Sequence, residues 1–215
     1  LDAEFYQEKY RAYETGILLA AQGYTYIKKE FLQIKEKCSR ELDAYNYVEI
    51  GDIDVGAGTA TFNAVNTNEL PDNAKIMTKQ GDLLVSTVRP NRGAVAILED
   101  EGLLVSGAFT VLRENGNYPK EILQVLLRTS MYRDWLLRFN VGTSYPVIKD
   151  EYVLNMPIPL FEETVKQSIV SKVKEAASLR SQSEQLLEYA KQAVEIAIEQ
   201  GEDVALAWLK ERSGE

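Results

Sequence analysis

The sequence contains no histidine and a single cysteine, Cys38, among its 215 residues. Without histidine, nucleophiles that depend on a Ser–His or Cys–His pair are excluded, and one cysteine cannot complete a structural zinc site. A single cysteine also cannot form a disulfide within the chain, which is typical of a reducing cytosol. We therefore expect a cytoplasmic protein that is not an enzyme and that holds no cofactor and no metal ion.

Long apolar runs are missing as well. No stretch approaches the roughly 18 consecutive apolar residues that a membrane-spanning helix requires. The first residues, LDAEFYQEKY, are charged and aromatic, unlike a secretory signal peptide. Because they begin with Leu and not with Met, we expect a processed chain or a piece of a longer protein.

An excess of positive charge is also absent. The formal net charge is −9, from 24 basic and 33 acidic residues, which argues against bulk electrostatic attraction to nucleic acid or to an anionic membrane. The charge is unevenly spread. Residues 1–80 contain 9 basic and 13 acidic side chains, residues 81–150 contain 8 of each, and residues 151–215 contain 7 and 12. The middle segment is the least acidic part of the chain.

Two local patterns are related to catalytic or cofactor sites, but each is incomplete. The segment GAGTAT (56–61) lacks the last glycine of a dinucleotide-binding loop, and no clear helix follows it. Asp52 and Asp54 would share one face at a strand end, as paired carboxylates do in metal or acid–base sites, yet no neighbouring residue completes a site. We interpret both patterns as ordinary loop and turn residues.

The spacing of apolar residues predicts a mixture of helices and strands before residue 160. Near-helical spacing over 28–42 predicts a short helix, and residues 120–139 carry the apolar face of an amphipathic helix. Residues 141–160 are predicted to be extended, with Pro157 and Pro159 preventing regular ladder pairing. Strands are predicted at 45–55, 83–88, 94–98 and 102–113, with a loop or hairpin at 56–74 and a hairpin turn at Glu99–Gly102.

From residue 163 to residue 200 the chain has neither Gly nor Pro, and its apolar residues alternate in steps of three and four. This pattern predicts one helix roughly 55 Å long. Gly201 ends it, and a short terminal helix follows. A helix of this length cannot bury its whole apolar face against one small domain. We therefore expect it to pair with another long helix. The predicted contact residues are Ile169, Val173, Ala176, Leu187, Ala190, Val194 and Ala197.

The predicted fold class is therefore α+β. A mixed-sheet domain over residues 1–160 is followed, over residues 161–215, by one long C-terminal helix of coiled-coil type and a short terminal helix.

The stretch GDLLVSTVRPNRGAVAIL (81–98) places two arginines around a proline, between two strands predicted to be buried. Pro90 fixes its own φ and favours an extended Arg89, and the chain can turn back at the following glycine. Arg89, Asn91 and Arg92 would then lie on a rigid bend. Arginine binds phosphate or guanine bidentately and asparagine pairs with adenine, so the bend is a candidate DNA contact.

An alternative remains open for these arginines. Arg89 and Arg92 could instead pair with Asp82 or Glu99 and contribute to the stability of the fold.

Several blocks in a fixed order resemble a known family. The stretch 81–98 is followed by VSGAFTVL, by KEILQVLLRTSMYRDWLL, by GTSYPVIKDEYVLNMPIPL, and by the long segment with SIVSKV and LLEYAKQAVEIAIEQ. With the N-terminal LDAEFYQEKY, this order resembles one target-recognition domain and its spacer helix from the DNA-specificity subunit of a type I restriction-modification system. The full subunit usually has two such domains and two long helices, so the chain resembles one half.

The resemblance implies a non-catalytic subunit that reads one half of a bipartite DNA site. It implies that the long helix pairs with a second copy or a second recognition half. It also implies that methyltransferase and restriction subunits assemble on it and perform the catalysis. Two alternatives stay open: a structural adaptor that does not bind DNA, and a recognition domain detached from a single-chain restriction-methylation enzyme.

The residues of the bend and of the segments around it are candidate DNA contacts, and the resemblance favours this interpretation. They are Lys75, Lys79, Ser86, Thr87, Arg89, Asn91, Arg92, Arg113, Thr143, Ser144, Tyr145 and Lys149. In this family the framework blocks are shared whereas the base-reading loops vary, so base contacts from 56–75 and 113–118 are the alternative.

Overall fold

The computed structural model describes residues 3–141 and 145–213 and divides the chain into two compact units, Leu1–Gln167 and Ser168–Glu215. We call them the head unit and the tail unit. The helices are α1 (Glu8–Leu18), α2 (Ile27–Glu30), α3 (Lys120–Arg128), α4 (Ser130–Leu137), α5 (Asp150–Leu154), α6 (Glu163–Gln200) and α7 (Glu202–Ser213), with 3₁₀ turns at Ala3–Tyr6, Ile50–Asp52 and Pro90–Arg92. The strands are β1 (Tyr24–Tyr26), β2 (Phe31–Ile34), β3 (Ala44–Val48), β4 (Ile53–Asp54), β5 (Thr59–Ala60), β6 (Asn63–Asn66), β7 (Ala74–Met77), β8 (Leu83–Ser86), β9 (Val95–Ile97), β10 (Leu104–Ser106), β11 (Phe109–Glu114) and β12 (Pro157–Pro159).

Two four-stranded sheets form the centre of the head unit. One has the order β2-β11-β8-β9 and is antiparallel, and the other has the order β6-β3-β10-β7 and is mixed, because β10 is parallel to β3 and antiparallel to β7. Leu84 pairs with Ala96 on one side and Val111 on the other, and all three are buried with Val105 of the mixed sheet. The mixed sheet and the long C-terminal helix confirm the predicted α+β class.

The prediction of one strand over residues 102–113 is wrong, because the chain changes sheets at Gly107. Strand β10 belongs to the mixed sheet and β11 to the antiparallel sheet. The backbone N–H of Gly107 donates to the carbonyl of Asn73 at 2.6 Å, where the β10–β7 register is irregular. The sequence predicted a hairpin turn at Glu99–Gly102. This prediction is wrong, because the segment connects strands of different sheets. Alternation of apolar residues continues through such a crossing and does not reveal it.

The predicted helix over residues 28–42 is wrong beyond Glu30, since a four-residue strand follows and residues 35–42 belong to no helix or strand. Helix α2 ends at Glu30, and β2 begins at Phe31 and pairs with the end of β11. Phe31 is buried whereas Leu32 is about half exposed, as expected of an edge strand with one covered face. Pairing with β11 outweighs the local helical spacing.

The predicted helix over residues 120–139 is broken at Thr129, which has extended backbone angles of φ −66° and ψ 151°. Its hydroxyl donates to the carbonyl of Leu126 at 2.7 Å and accepts from the backbone N–H of Tyr132 at 3.4 Å. The side chain thereby closes the end of α3 and caps the start of α4. Trp135 remains buried on the predicted apolar face.

Residues 141–160 are less extended than predicted, because α5 lies within them. The expected loss of ladder pairing is also wrong, since β12 pairs with β1 in antiparallel register. Pro157 and Pro159 flank Ile158, and the ladder continues through hydrogen bonds at both ends. Ile27 N–H donates to the Met156 carbonyl at 3.1 Å, and Leu160 N–H donates to the Gly23 carbonyl at 2.9 Å. Alternate N–H groups of an antiparallel strand point away from its partner, so proline is tolerated there.

The long helix has the predicted bounds, with α6 spanning Glu163–Gln200. Gly201 ends it with φ 101°, a left-handed conformation that favours glycine. In the tail unit, Trp208 of α7 meets Tyr189 of α6 edge to face with ring centroids 5.7 Å apart, so α7 packs along the end of α6. Across the described ranges, no helix combines the length and apolarity that crossing a membrane would require.

Candidate nucleic-acid interface

A tight turn after β8 presents the predicted bend. Residues Pro90–Arg92 form one 3₁₀ turn, closed by hydrogen bonds from Arg92 N–H to the Arg89 carbonyl and from Gly93 N–H to the Pro90 carbonyl. Arg89 and Gly93 both have left-handed backbone angles, with φ 51° and 75°. The turn is therefore held at each end by an unusual conformation.

The expected extended conformation of Arg89 is wrong. Its N–H donates to the Pro146 carbonyl at 2.7 Å, and its own carbonyl accepts from Arg92 at 2.9 Å. These two hydrogen bonds hold Arg89 in the left-handed region, which costs a residue other than glycine about 1 kcal/mol. A non-glycine residue at positive φ is uncommon and often marks a functional position.

The segment after residue 144 lies beside the turn. Val88 bridges Val147, and Ile148 N–H donates to the Thr87 carbonyl at 2.9 Å. The guanidinium carbon of Arg89 lies 5.0 Å from the ring centroid of Tyr145, a cation–π contact on a side chain that is 47% exposed. Thr143 and Ser144 lie outside the described residues.

Arg89, Asn91 and Arg92 are all exposed. Within residues 3–141 and 145–213, neither arginine has a carboxylate at ion-pair distance. The alternative pairing with Asp82 or Glu99 is therefore wrong in the structure. Two guanidinium groups remain available at one rigid turn.

Three of the predicted contact residues instead have roles within the fold. Ser86 and Thr87 are buried, and their hydroxyls donate to the carbonyls of Val88 and Ala108 at 2.7 and 2.8 Å. Arg113 donates through two nitrogens to the buried Asp82 carboxylate, and this hydrogen-bonded pair raises the pKa of Arg113. We therefore leave these three residues out of the candidate surface.

The three predicted lysines are exposed, and their side chains do not contribute to the structure of the turn. Lys75 lies on β7, Lys79 follows it, and Lys149 precedes α5 with its ammonium 3.6 Å from Glu151. Among the described residues, none of these lysines forms a hydrogen bond or an ion pair with the turn. Exposed lysines can still add phosphate contacts along a duplex.

The interpretation of the two incomplete motifs as loop and turn residues holds only in part, because Asp54 ends β4 and residues 59–60 of the glycine-rich segment form β5. The Gly58 carbonyl accepts a hydrogen bond from Gln124 of α3 at 2.6 Å, so the glycine-rich loop packs on that helix. Asp52 accepts from the backbone of Glu49 and from Asn63, and Asp54 accepts from Ala57. Within the described part of the chain, no three His, Cys, Asp or Glu side chains are grouped to hold a metal ion.

Two arginines that the sequence analysis did not select lie next to the turn. Arg133 of α4 contacts Gly93 so closely that a Cβ at Gly93 would lie 2.7 Å from its Cδ. Arg128, at the end of α3, lines a cavity of about 320 Å³ together with Gly93 and Arg133. Both interrupt or flank the apolar face of the helix predicted over residues 120–139. This placement is the sequence feature that could have identified them. The approach of Arg133 to residue 93 depends on the break at Thr129, which the periodicity does not show.

The head unit with a long helix has the fold of type I restriction-modification specificity subunits. In solved structures, the chain is similar to the HsdS subunit from Thermoanaerobacter tengcongensis, with 24% identity, a TM-score of 0.57, and coverage of 80% of this chain and 48% of that one. It is similar at 22% identity and a TM-score of 0.59 to a chain from a structural study of complex assembly and conformational transition of the type I R-M system, covering 81% of this chain and 46% of that one.

The sequence comparison agrees with this class. Over 138 residues the chain is 27% identical to the type I restriction enzyme HindI specificity subunit of Haemophilus influenzae. The aligned region covers 60% of this chain and 30% of the relative. No family model matches the chain. The resemblance expected from the sequence is confirmed. The chain spans about a third of the curated relative and just under half of the solved chains.

Proposed function

We propose that this chain is a DNA sequence-specificity component of a type I restriction-modification system. In this proposal residues 1–160 are a target-recognition domain that reads one half of a bipartite site. Residues 161–215 are a spacer and dimerisation segment. Methyltransferase and restriction subunits would assemble on the chain and perform the catalysis, so the chain itself would not be an enzyme.

The observation that carries the proposal is the Arg89–Gly93 turn within this fold. Arg89 and Arg92 are exposed and, among the described residues, have no acidic partner, although the chain as a whole is acidic. Their backbone is already fixed, so little conformational entropy would be lost when they contact DNA. Asn91 lies between them and adds an amide that can pair with adenine.

Charge suggests how affinity is divided between the chain and its partners. Residues 81–150 are neutral overall, with 8 basic and 8 acidic side chains, and the whole chain carries −9. Non-specific DNA binding depends on neutralising many phosphates, which such a chain does poorly. We therefore expect the isolated chain to bind DNA weakly and most of the affinity to come from the methyltransferase subunits.

The test is reconstitution of the chain with type I methyltransferase subunits, followed by sequencing of the methylated DNA. The wild-type complex should methylate one defined site. The double variant Arg89→Glu/Arg92→Glu should lower methylation there by at least about 100-fold, because a bidentate arginine contact contributes roughly 1–3 kcal/mol and the new carboxylates repel phosphate. Arg11→Glu, on the exposed face of α1, is a charge-reversal control away from the turn and should change it little.

Assembly separates this proposal from the alternatives. The double variant should still co-purify with the methyltransferase subunits, since its changes lie on an exposed turn. Methylation without sequence preference by the wild-type complex would contradict the proposal. Equal methylation by the double variant would instead favour an adaptor that does not contact DNA.

We also propose that α6 pairs with a second long helix, from another copy or a second recognition half. Apolar side chains are exposed along its C-terminal half, including Leu187 at 59%, Val194 at 60% and Ile198 at 81%. Spacings of seven and four residues put these three on one face. Of the predicted contact residues, Ala176 and Ala190 are also exposed, and Ile169, Val173 and Ala197 are half-buried.

A further inference from the structure

Helix α4 packs against the 3₁₀ turn that carries the candidate DNA contacts. At this contact the side chain of Arg133 lies across Gly93. A Cβ at residue 93 would be 2.7 Å from Cδ of Arg133 and 3.7 Å from its Cγ and Nε, whereas real Cβ contacts are essentially never shorter than 3.0 Å. Gly93 also has φ 75°, a conformation that favours glycine. The turn and the aliphatic part of Arg133 therefore meet at a distance that only glycine allows.

The segment of α4 around Arg133 is itself anchored to the rest of the head unit. Tyr132 is fully buried, and its hydroxyl donates to the carbonyl of Pro157 at 3.0 Å. The carboxylate of Asp134 accepts a hydrogen bond from Lys9 of α1 at 2.8 Å. Both neighbours of Arg133 are thus held by distant segments. The side chain that lies across Gly93 starts from a fixed backbone.

The aliphatic part of Arg133, and not its charge, makes this contact. Its Nε is buried and has no hydrogen-bond partner among the described residues. A buried N–H without an acceptor costs stability and does not add to it. Long charged side chains often contribute through the packing of their methylene groups. Methionine has a similar unbranched side chain without an N–H, so Arg133→Met separates the packing of this residue from its charge.

We propose that Arg133 is a positioning residue, whose methylene groups over Gly93 set the direction in which the turn presents Arg89 and Arg92 to DNA. The other end of the turn is held by the hydrogen bond from Arg89 N–H to the Pro146 carbonyl at 2.7 Å. An arginine discriminates between bases only when its planar donors face the base edge, so a small displacement of the turn changes the discrimination. The proposal rests on the proposed function, since it concerns the residues expected to read the site.

The contact is tested by denaturant unfolding of the whole chain, with a second glycine as the matched control. Gly102 also has a left-handed φ of 70°, but nothing lies within 4 Å of a Cβ built there. Gly102→Ala therefore measures the backbone effect alone, whereas Gly93→Ala adds the collision with Arg133. We expect Gly93→Ala to lower the denaturant midpoint more than Gly102→Ala does. In an Arg133→Ala background the two losses should become equal. Equal losses with Arg133 present would overturn the proposal.

The effect on recognition is measured with the reconstituted complex, as methylation at the recognised site divided by methylation at sites with one mismatched base pair. Arg133→Ala should lower this ratio about tenfold, the effect expected when one bidentate arginine contact is misplaced. Arg133→Met should keep the ratio within about twofold of wild type, because its side chain still covers Gly93. A merely structural role would lower the midpoint and leave the ratio per folded complex unchanged. An unchanged ratio in Arg133→Ala, or an equal loss in Arg133→Met, would overturn the proposal.

Gly93→Ala serves as the second variant if Arg133→Ala does not fold. It should lower the same ratio about tenfold, because the added methyl group displaces the turn from α4. Gly102→Ala should keep the wild-type ratio. Equal ratios in the two glycine variants would contradict the positioning role.

The outcomes also distinguish the two proposals. Suppose that Arg89→Glu/Arg92→Glu abolishes site-specific methylation while Arg133→Ala keeps the wild-type ratio. The positioning role is then wrong and the proposed function stands. If the wild-type complex methylates without sequence preference, the proposed function is wrong, and the positioning role fails with it even when unfolding confirms the contact with Gly93.

Discussion

Arg113 and Asp82 form a two-point ion pair between the end of β11 and the start of β8. Nε and Nη2 of Arg113 each donate to one carboxylate oxygen of Asp82 at 2.7 Å. Asp82 is 1% exposed and also accepts from the backbone N–H of Lys79 at 2.9 Å. The pair fixes one end of the antiparallel sheet whose other end leads into the Arg89–Gly93 turn.

Arg113→Gln should destabilise the head unit by about 3 kcal/mol, because it leaves the Asp82 carboxylate buried without its cation. Denaturant unfolding should show a lower midpoint with an unchanged slope. Lys120→Gln is the control, since it removes the neighbouring, more exposed pair with Glu114 and should cost less than about 1 kcal/mol. DNA affinity per folded molecule should not change in Arg113→Gln. A selective loss of DNA affinity at normal stability would return Arg113 to the contact surface.

Tyr145→Ala should weaken DNA binding by the reconstituted complex about two- to fivefold. The ring lies under Arg89, and an exposed cation–π contact contributes about 0.5–1 kcal/mol to holding the guanidinium in place. Tyr145→Phe keeps the ring and should keep the affinity. The measurement is equilibrium binding to a cognate duplex at fixed salt. If Phe were as weak as Ala, the hydroxyl and not the ring would be responsible.

Glycine should be tolerated better at residue 89 than at residue 92. Arg89 has φ 51°, where glycine removes strain of about 1 kcal/mol, whereas Arg92 lies within a 3₁₀ turn, where glycine has no such benefit. We expect Arg89→Gly to be more stable than Arg92→Gly by about 1 kcal/mol in thermal or denaturant unfolding. Both variants should lose DNA affinity. Equal stabilities would show that the left-handed conformation at residue 89 carries no strain.

The protein should lose stability above about pH 10, the usual pKa of tyrosine. Tyr118 and Tyr132 are buried and donate to the carbonyls of Pro159 and Pro157 at 3.1 and 3.0 Å, and burial raises the pKa of each phenol. A pKa raised in the folded state means that the stability is complete below the unfolded pKa and falls as pH rises beyond it. The expected slope is about 1.4 kcal/mol per pH unit for each of the two tyrosines.

Tyrosinate absorbance and circular dichroism, followed together against pH, measure this loss. At least two of the 12 tyrosines should ionise only as the chain unfolds. Tyr132→Phe should reduce the alkaline loss, whereas Tyr6→Phe, at an exposed position, should not. Ionisation of all tyrosines before any unfolding would contradict the expectation.

Leu187→Glu/Val194→Glu should convert a paired form of the protein into a monomer, because it places charge on the exposed apolar face of α6. Light scattering coupled to size-exclusion chromatography gives the mass. Gln182→Glu adds one charge to another part of the helix surface and should leave the mass unchanged. A wild-type chain that stays monomeric at high concentration, alone and with its methyltransferase subunits, would contradict pairing through α6.

Local patterns predicted the elements whose stabilisation is itself local. The 38-residue helix, the turn at Gly93 and strands β8 and β9 follow from periodicity and from glycine and proline placement. The errors occurred where distant segments decide. Residues 31–34 form a strand because β11 is available to pair with them, and residues 102–113 divide at Gly107 because two sheets meet there. A sequence window cannot contain such partners.

The candidate surface shows the same division. The bend that carries Arg89, Asn91 and Arg92 was predicted, because proline and glycine restrict the backbone locally. Arg113 was selected for its charge, although its partner Asp82 lies 31 residues away in sequence. The position of Arg133 against Gly93 was not predicted, because it depends on the break between α3 and α4. Charge can be read from a sequence, but its compensation depends on the tertiary structure.

The β1–β12 pair brings two distant segments of the head unit side by side, with Ile27 N–H bonded to the carbonyl of Met156. The chain between Ile27 and Met156 therefore begins and ends at the same place in the fold. A change of length in a loop between Tyr26 and Pro157 can therefore be accommodated while β1 and β12 stay paired. Under the proposed function, this pairing would keep the two ends of the recognition region together while its loops vary.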